Sequence, residues 1–428
     1  MTLPATAALL VTLAALFSYL NYRFVHLPGT IGMMLIALCL SAGVLALGKL
    51  GIHFDALARE ALSAVDFDQT LMAGMLSFLL FAGALQTDLD KLAEQKLQVG
   101  FLAVAGVLLS TAFVGLGIHY ALAAAGQPIP LVWCLAFGAL ISPTDPVAVL
   151  AIVRQVGAPK SLEMKIAGES LFNDGIGIVL FVEIVSLAAG QDVPSAAGAA
   201  LFFTREALGG IAFGLALGYV GYRLLRSVDN YEVEVLMTVA LVMGGYAAAT
   251  ALGVSGPIAI VVAGLLIGSH GRRFAMSQRT RERLDDFWEL VDSMLNAVLF
   301  VLIGLEMLLL PLDASNLIPA VLAIPIVLLA RFVSVALPTW MPFLHAWFDR
   351  PTANLLAWGG LRGGIAVALA LALPQTPYRE TLIAMTYACV VFSIVVQGLT
   401  IGPIVRAWSR RRESARGQER DASERRAR

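Results

Sequence analysis

The sequence predicts an all-α polytopic membrane protein of thirteen transmembrane helices, built as two inverted six-helix repeats. Three observations predict it. Hydrophobic residues make up 59% of the 428-residue chain and charged residues only 14%, with mean hydropathy +0.82, where an ordinary soluble domain has ~45–50% and ~25%. Lys and Arg gather in alternate loops. Two apolar runs, seven apart in order, are interrupted near their middle.

Runs of bilayer length fall at 5–21, 30–48, 70–86, 97–125, 130–153, 162–189, 199–222, 231–252, 255–269, 291–311, 316–341, 353–373 and 380–405. The first imitates a signal peptide but lacks a basic n-region and a small-residue cleavage site, so it is a retained span. The eighth and ninth are parted only by Gly253-Val254-Ser255-Gly256-Pro257. Ala275 to Leu290 is polar and reads as an amphipathic helix on the cytoplasmic surface. Residues 1–409 form the transmembrane domain, and 410–428 a short, charged tail expected to be disordered, with no appended soluble domain.

The positive-inside rule tests the count. With the N-terminus outside, the inner loops receive Arg23, Lys91, Lys96, Arg154, Lys160 and Lys165. They go on to receive Arg223, Arg226, Arg272, Arg273, Arg279, Arg281, Arg283, Arg350 and the Arg-rich tail. The outer side receives only Lys49, Arg59, Arg205 and Arg379. Adding or losing one span scrambles this alternation, so the C-terminus lies inside.

The fifth run contains Ser142-Pro143-Thr144-Asp145-Pro146. Its two prolines remove backbone donors and disfavour helix in the residues before them, so the span unwinds there. The twelfth contains Gly359-Gly360-Leu361-Arg362-Gly363-Gly364, whose glycines loosen the helix around an arginine. With the seventh span as a linker, the two interruptions occupy corresponding places in two halves of opposite orientation. That is the sequence mark of a secondary transporter with its site at the midplane.

The sixth run carries Gly168-Glu169-Ser170-Leu171-Phe172-Asn173-Asp174-Gly175. Ser170 and Asp174 share one helical stripe, Glu169 and Asn173 the next. Carboxylates at this depth cost several kcal/mol unless they face a cavity, a partner or a cation. A plain hydrogen-bonding cluster that fixes helix packing is the alternative; a cation or proton site is the reading taken. A buried carboxylate favours its protonated form and a bound cation its ionised form, so proton and cation compete for the same oxygens. If the site reorients only when neutralised, competition becomes exchange of one cation for one proton. Asp174, Ser170, Glu169 and Thr144 offer hard oxygens suited to an alkali cation. Asp145 can neutralise converging helix N-termini, and Arg362 can offset C-terminal dipoles unless it is a water-exposed charge near an interface. Arg331, in mid-span, needs a partner, and Glu169 is the one inferred; the alternative is that Arg331 reaches an interface.

Other chemistries find no support. Cys39, Cys134 and Cys389 lie in separate runs without the spacing of a disulfide or metal framework. His26, His53, His119, His270 and His345 sit near span ends or in loops. Ser170 lacks the setting of a nucleophile, so no enzyme activity is expected. No cofactor and no nucleic-acid partner is indicated.

Taken together, Ser142–Pro146, Gly168–Gly175 and Gly359–Gly363 resemble the cation/proton antiporter family 1, the NhaP-type sodium/proton antiporters, and the resemblance covers essentially all spans. It implies the sodium/proton antiporter fold with two crossing broken helices. Spans 1–3 and 8–10 would form a dimerisation part, and spans 4–6 and 11–13 an ion-transporting core that moves as an elevator. Carried over are Asp174 as ion and proton carrier, Ser170 and Thr144 as ligands of transported Na⁺, and Glu169 as a ligand or partner of Arg331. Asn173 braces the helix and Asp145 partners the broken helices. The pair is Asn173-Asp174 where electrogenic relatives have two adjacent aspartates, which implies electroneutral one-for-one exchange of Na⁺ or Li⁺ for H⁺. A homodimer in a bacterial inner membrane is implied. A K⁺/H⁺ antiporter of the same fold is the nearest alternative, and a gated cation channel a more distant one.

Overall fold

The computed structural model describes residues 3–49, 74–190, 196–306, 314–340 and 350–410. The start of the expected third run at 70–73, the ends of the tenth at 307–311 and of the eleventh at 341, Arg59, His53, His345 and the tail beyond 410 lie outside the described residues. The described chain is helical: α1 (Leu3–Leu20), α2 (Gly29–Lys49), α3 (Leu76–Leu85) and α4 (Lys96–Ala124). Then come α5 (Leu131–Ile141), α6 (Val147–Gln155), α7 (Lys160–Ala188), α8 (Ala196–Leu225), α9 (Tyr231–Ala251) and α10 (Gly256–Leu266). The remainder are α11 (Gln278–Glu306), α12 (Ala314–Ala336), α13 (Arg350–Trp358), α14 (Gly364–Leu371) and α15 (Arg379–Arg410). Among the described residues, nine helices are long and apolar enough to cross a membrane, and three shorter apolar ones are Leu76–Leu85, Leu131–Ile141 and Gly256–Gly271.

Local chemistry accounts for the breaks. Between α9 and α10, Gly253 takes a left-handed φ of 66°, which costs little without a Cβ. Ser255 Oγ then accepts from Ile258 N at 3.4 Å and restarts the helix. The fifth span divides into α5 and α6 at Ser142–Pro146, and the twelfth into α13 and α14 at Gly359–Gly363. The two breaks meet in an isolated antiparallel bridge between Asp145 and Leu361, with Asp145 N donating to Leu361 O at 2.8 Å.

The helices pack as two sets. In one, α4 lies on α5 and α12, α7 on α5, α13 and α15 on α12, and α14 on α15. In the other, α2, α1 and α9 lie on α11, and α3, α8 and α9 on α10. Across the seam α7 meets α3, α8 and α10, while α14 meets α11.

One element departs from expectation. Residues 278–290 are not a separate surface helix but the first half of the continuous α11. Their apolar stripe is buried: Trp288 packs against Phe78, Phe81 and Phe287 and donates from Nε1 to Thr238 Oγ1 at 3.1 Å. A polar helix with one apolar stripe suits a bundle wall as well as a membrane surface, and here α3 and α9 supply the wall.

Candidate functional site

Each break exposes backbone carbonyls and N–H groups that regular helix would have paired. At the end of α5, Arg362 Nη1 donates to Ser142 O at 2.5 Å and to Pro143 O at 3.0 Å. Arg362 is buried, and its own backbone N donates to Ser393 Oγ at 2.9 Å from a π-helical turn of α15. At the end of α13, Arg331 Nη2 donates to Leu356 O at 3.2 Å and Gln397 Nε2 to Trp358 O at 2.9 Å. Two buried guanidinium groups therefore stand at the two negative helix ends.

Asp145 stands at the positive ends. Its Oδ1 accepts from Val147 N at 2.9 Å at the start of α6. Its Oδ2 lies so near Gly363, before α14, that a Cβ there would come within 2.5 Å. Thr144 is held from α7: Asn173 Nδ2 donates to Thr144 Oγ1 at 2.9 Å, and Asn173 Oδ1 accepts from Thr144 N at 3.4 Å. Both ends of that amide are occupied, so Asn173 braces the unwound segment. Thr144 Oγ1 and Ser170 Oγ lie 3.1 Å apart, and both hydroxyls face the same cavity as Asp174.

That cavity, about 450 Å³, is lined among the described residues by Thr144, Asp145, Ser170 and Asp174 but not by Glu169. Glu169 points away and accepts from Arg331 Nη1 at 2.5 Å, with both side chains buried. Asp174 is 8% exposed, and among the described residues no donor or cation stands against its carboxylate. Around Asp174 the described residues thus gather its unpaired carboxylate, two hydroxyls and the backbone of an unwound helix, all hard oxygens. Among the described residues no cluster of His, Cys, Asp and Glu could hold a resident metal ion.

Gln86, Thr87, Arg154 and Glu289 also line the cavity, and of these Arg154 and Glu289 are exposed. Around these residues lie Lys91, Lys160 and Arg272, each beside a carboxylate: Asp88, Glu163 and Asp285. At its rim the hydrogen bond from Lys91 holds the Asp88 carboxyl below its ordinary range.

The family model described as "Sodium/hydrogen exchanger, transmembrane" matches residues 10–407. The chain belongs to that family. It is 47% identical over 404 residues to the Na⁺/H⁺ antiporter NhaP of Pseudomonas aeruginosa, covering 93% of this chain and 95% of the relative. It is 36% identical to the Na⁺/H⁺ antiporter NhaH of Halobacillus dabanensis, covering 89% and 91%. Among solved structures, the sodium proton antiporter MjNhaP1 of Methanocaldococcus jannaschii superposes with TM-score 0.73 at 20% identity, over 93% of this chain and 96% of that one. This likeness shows the antiporter fold.

Within this exchanger chain, one set of cavity residues escaped the sequence reading. Glu289, Asp292, Ser293 and Asn296 line the cavity from α11. They recur at helical spacing, and that stripe was the available signal. It was hidden because the expected boundary between surface helix and span, at 290/291, cut through it.

Proposed function

We propose that the protein is a secondary active transporter that exchanges Na⁺, and also Li⁺, for H⁺, one for one and without net charge movement. The observation that carries this reading is Asp174: a buried carboxylate with no partner among the described residues, lining a cavity one helical turn from Ser170, whose hydroxyl lies 3.1 Å from that of unwound Thr144. Such a group is neutralised either by a proton or by a monovalent cation. Asn173 beside it does not titrate, so one charge is exchanged for one. Glu169 is committed to Arg331 and acts as a structural partner rather than a ligand.

Alternating access follows from an elevator motion of α4–α7 and α12–α15 against α1–α3 and α9–α11, with α8 as the link. The packing supports this division, because extensive contacts fall within each set and the seam runs beside the cavity. Nine long spans, three shorter apolar helices and the broken pair α13/α14 accommodate thirteen crossings. The basic loops assign the cavity's open end, and the C-terminus, to the cytoplasm of a bacterial cell. The family resemblance adds a homodimer formed through the set that does not move.

Purified protein in proteoliposomes, given an outward gradient of Na⁺, Li⁺ or K⁺ in turn, tests the reading. Na⁺ and Li⁺ should drive proton uptake that K⁺ does not. Flux with K⁺ alone would make the protein a K⁺/H⁺ antiporter, and cation current without proton movement would make it a channel.

A further inference from the structure

The crossing leaves one buried donor over. Arg331 donates from Nη1 to Glu169 and from Nη2 to Leu356 O. Its Nε–H, on a residue 6% exposed, makes no hydrogen bond with any described residue. A buried N–H without an acceptor is uncommon and calls for a ligand or water. There is space in front of it: a Cβ on Gly360 would come within 2.6 Å of Nε, and glycine leaves that position empty. Arg331 and Gly360 line a cavity of about 10 Å³ between α12, the α13/α14 break and α15. It shares no lining residue with the cavity that holds Asp174.

The rest of the lining decides what fits there. Arg362 and Gln397 are the other strongly polar side chains, beside Cys389 and an apolar wall. Arg362 uses Nη1 on the carbonyls of Ser142 and Pro143, so further N–H groups of its guanidinium remain. Gln397 uses Nε2 on Trp358 O and keeps its Oε1 as an acceptor. Two guanidinium donors and one amide acceptor thus surround a space about the size of one water molecule. A buried water typically makes about three hydrogen bonds, both accepting and donating, which matches this set. An anion matches it less well. It would meet the Gln397 oxygen, and neither guanidinium has spare charge, since Glu169 balances Arg331 and the carbonyl end of α5 holds Arg362.

We propose that this cavity is an ordered-water site, in which one buried water accepts a hydrogen bond from Arg331 Nε and bridges it to Arg362 and Gln397. The water completes Arg331. With Glu169, Leu356 O and the water on its three edges, the guanidinium is fixed in place. Glu169 then stays on Arg331 instead of turning toward the cavity of Asp174. The walls of the water site come from α12, the α13/α14 break and α15, which pack together in one set of helices. The water therefore belongs to that set as a permanent part of it. None of this depends on the exchange reading.

Two measurements on the full-length protein test it. A density map fine enough to resolve water should show one peak about 2.7–3.2 Å from Arg331 Nε, with no anomalous signal when chloride is replaced by bromide. An empty cavity would overturn the site, and so would a bromide peak, which would make the ligand an anion. The second measurement is X-ray radiolytic footprinting of detergent-purified protein, in which a water held beside a buried side chain yields hydroxyl radicals that oxidise it. Cys389, 4% exposed and lining the cavity, should be oxidised several-fold faster than Cys134, which is 0% exposed and donates to Ile129 O at 3.7 Å. Gly360→Ala puts a methyl group where the water sits and should bring Cys389 down to the rate of Cys134. Equal rates for the two cysteines in the wild type would overturn the proposal, as would a Cys389 rate that folded Gly360→Ala leaves unchanged. Should Gly360→Ala fail to fold, the wild-type comparison decides by itself. Absence of exchange in the wild type would refute the proposed function and leave both measurements intact.

Discussion

Asp174 and Glu169 are both buried carboxylates on α7, and their surroundings divide their roles. Glu169 is bound to Arg331 at 2.5 Å, and breaking such a pair from one side leaves a buried charge uncompensated, at about 3–5 kcal/mol. Glu169→Gln or Arg331→Gln alone should therefore lower detergent melting temperature sharply, and the double change should cost less than the sum. Additive losses would show that the pair is not coupled. Asp174 has no such partner among the described residues, so Asp174→Asn should insert and melt like the wild type while exchange falls below about a tenth. A larger residual flux would mean that another group carries the proton. An intramembrane charge demands a partner or a use, so the sequence allowed Glu169 to be a ligand or the partner of Arg331, and the structure shows the pair.

At the scale of the helix, the two breaks make the site. Prolines in one and glycines in the other made both legible, since each removes what a continuous helix requires. What sequence did not give was their contact, the Asp145–Leu361 bridge, which depends on how the two halves cross. Gly363 is the tightest point of that crossing. A Cβ there would lie 2.5 Å from Asp145 Oδ2 and 2.6 Å from its Cβ, so Gly363→Ala must push the breaks apart. Overpacking of this kind costs about 1–3 kcal/mol. Exchange should fall more than stability, as judged by proteoliposome flux against melting temperature; full activity would show that the crossing yields freely. The α11 misreading has its own physical cause. Periodicity reports an apolar stripe but not whether lipid or protein covers it, and here Trp288 is covered by α3 and α9.

For the whole molecule, the proposed exchange runs on one carboxylate that would carry either a cation or a proton. Guanidinium and carboxylate groups at the crossing are matched within one set of helices: Arg331 with Glu169, Arg362 with the carbonyls of Ser142 and Pro143, and Asp145 with the starts of α6 and α14. In the proposed exchange only the occupant of Asp174 would change between the two crossings, so the loaded site would bear the same charge in both directions. Burying or exposing the site then moves no net charge, and the membrane field does no work on the cycle. Reconstituted protein whose membrane potential is set with K⁺ and valinomycin tests this directly, once K⁺ itself has been shown not to be transported. Sodium-driven proton flux should stay the same when the potential is reversed at constant ion gradients, and a several-fold change would contradict one-for-one exchange on a single carboxylate.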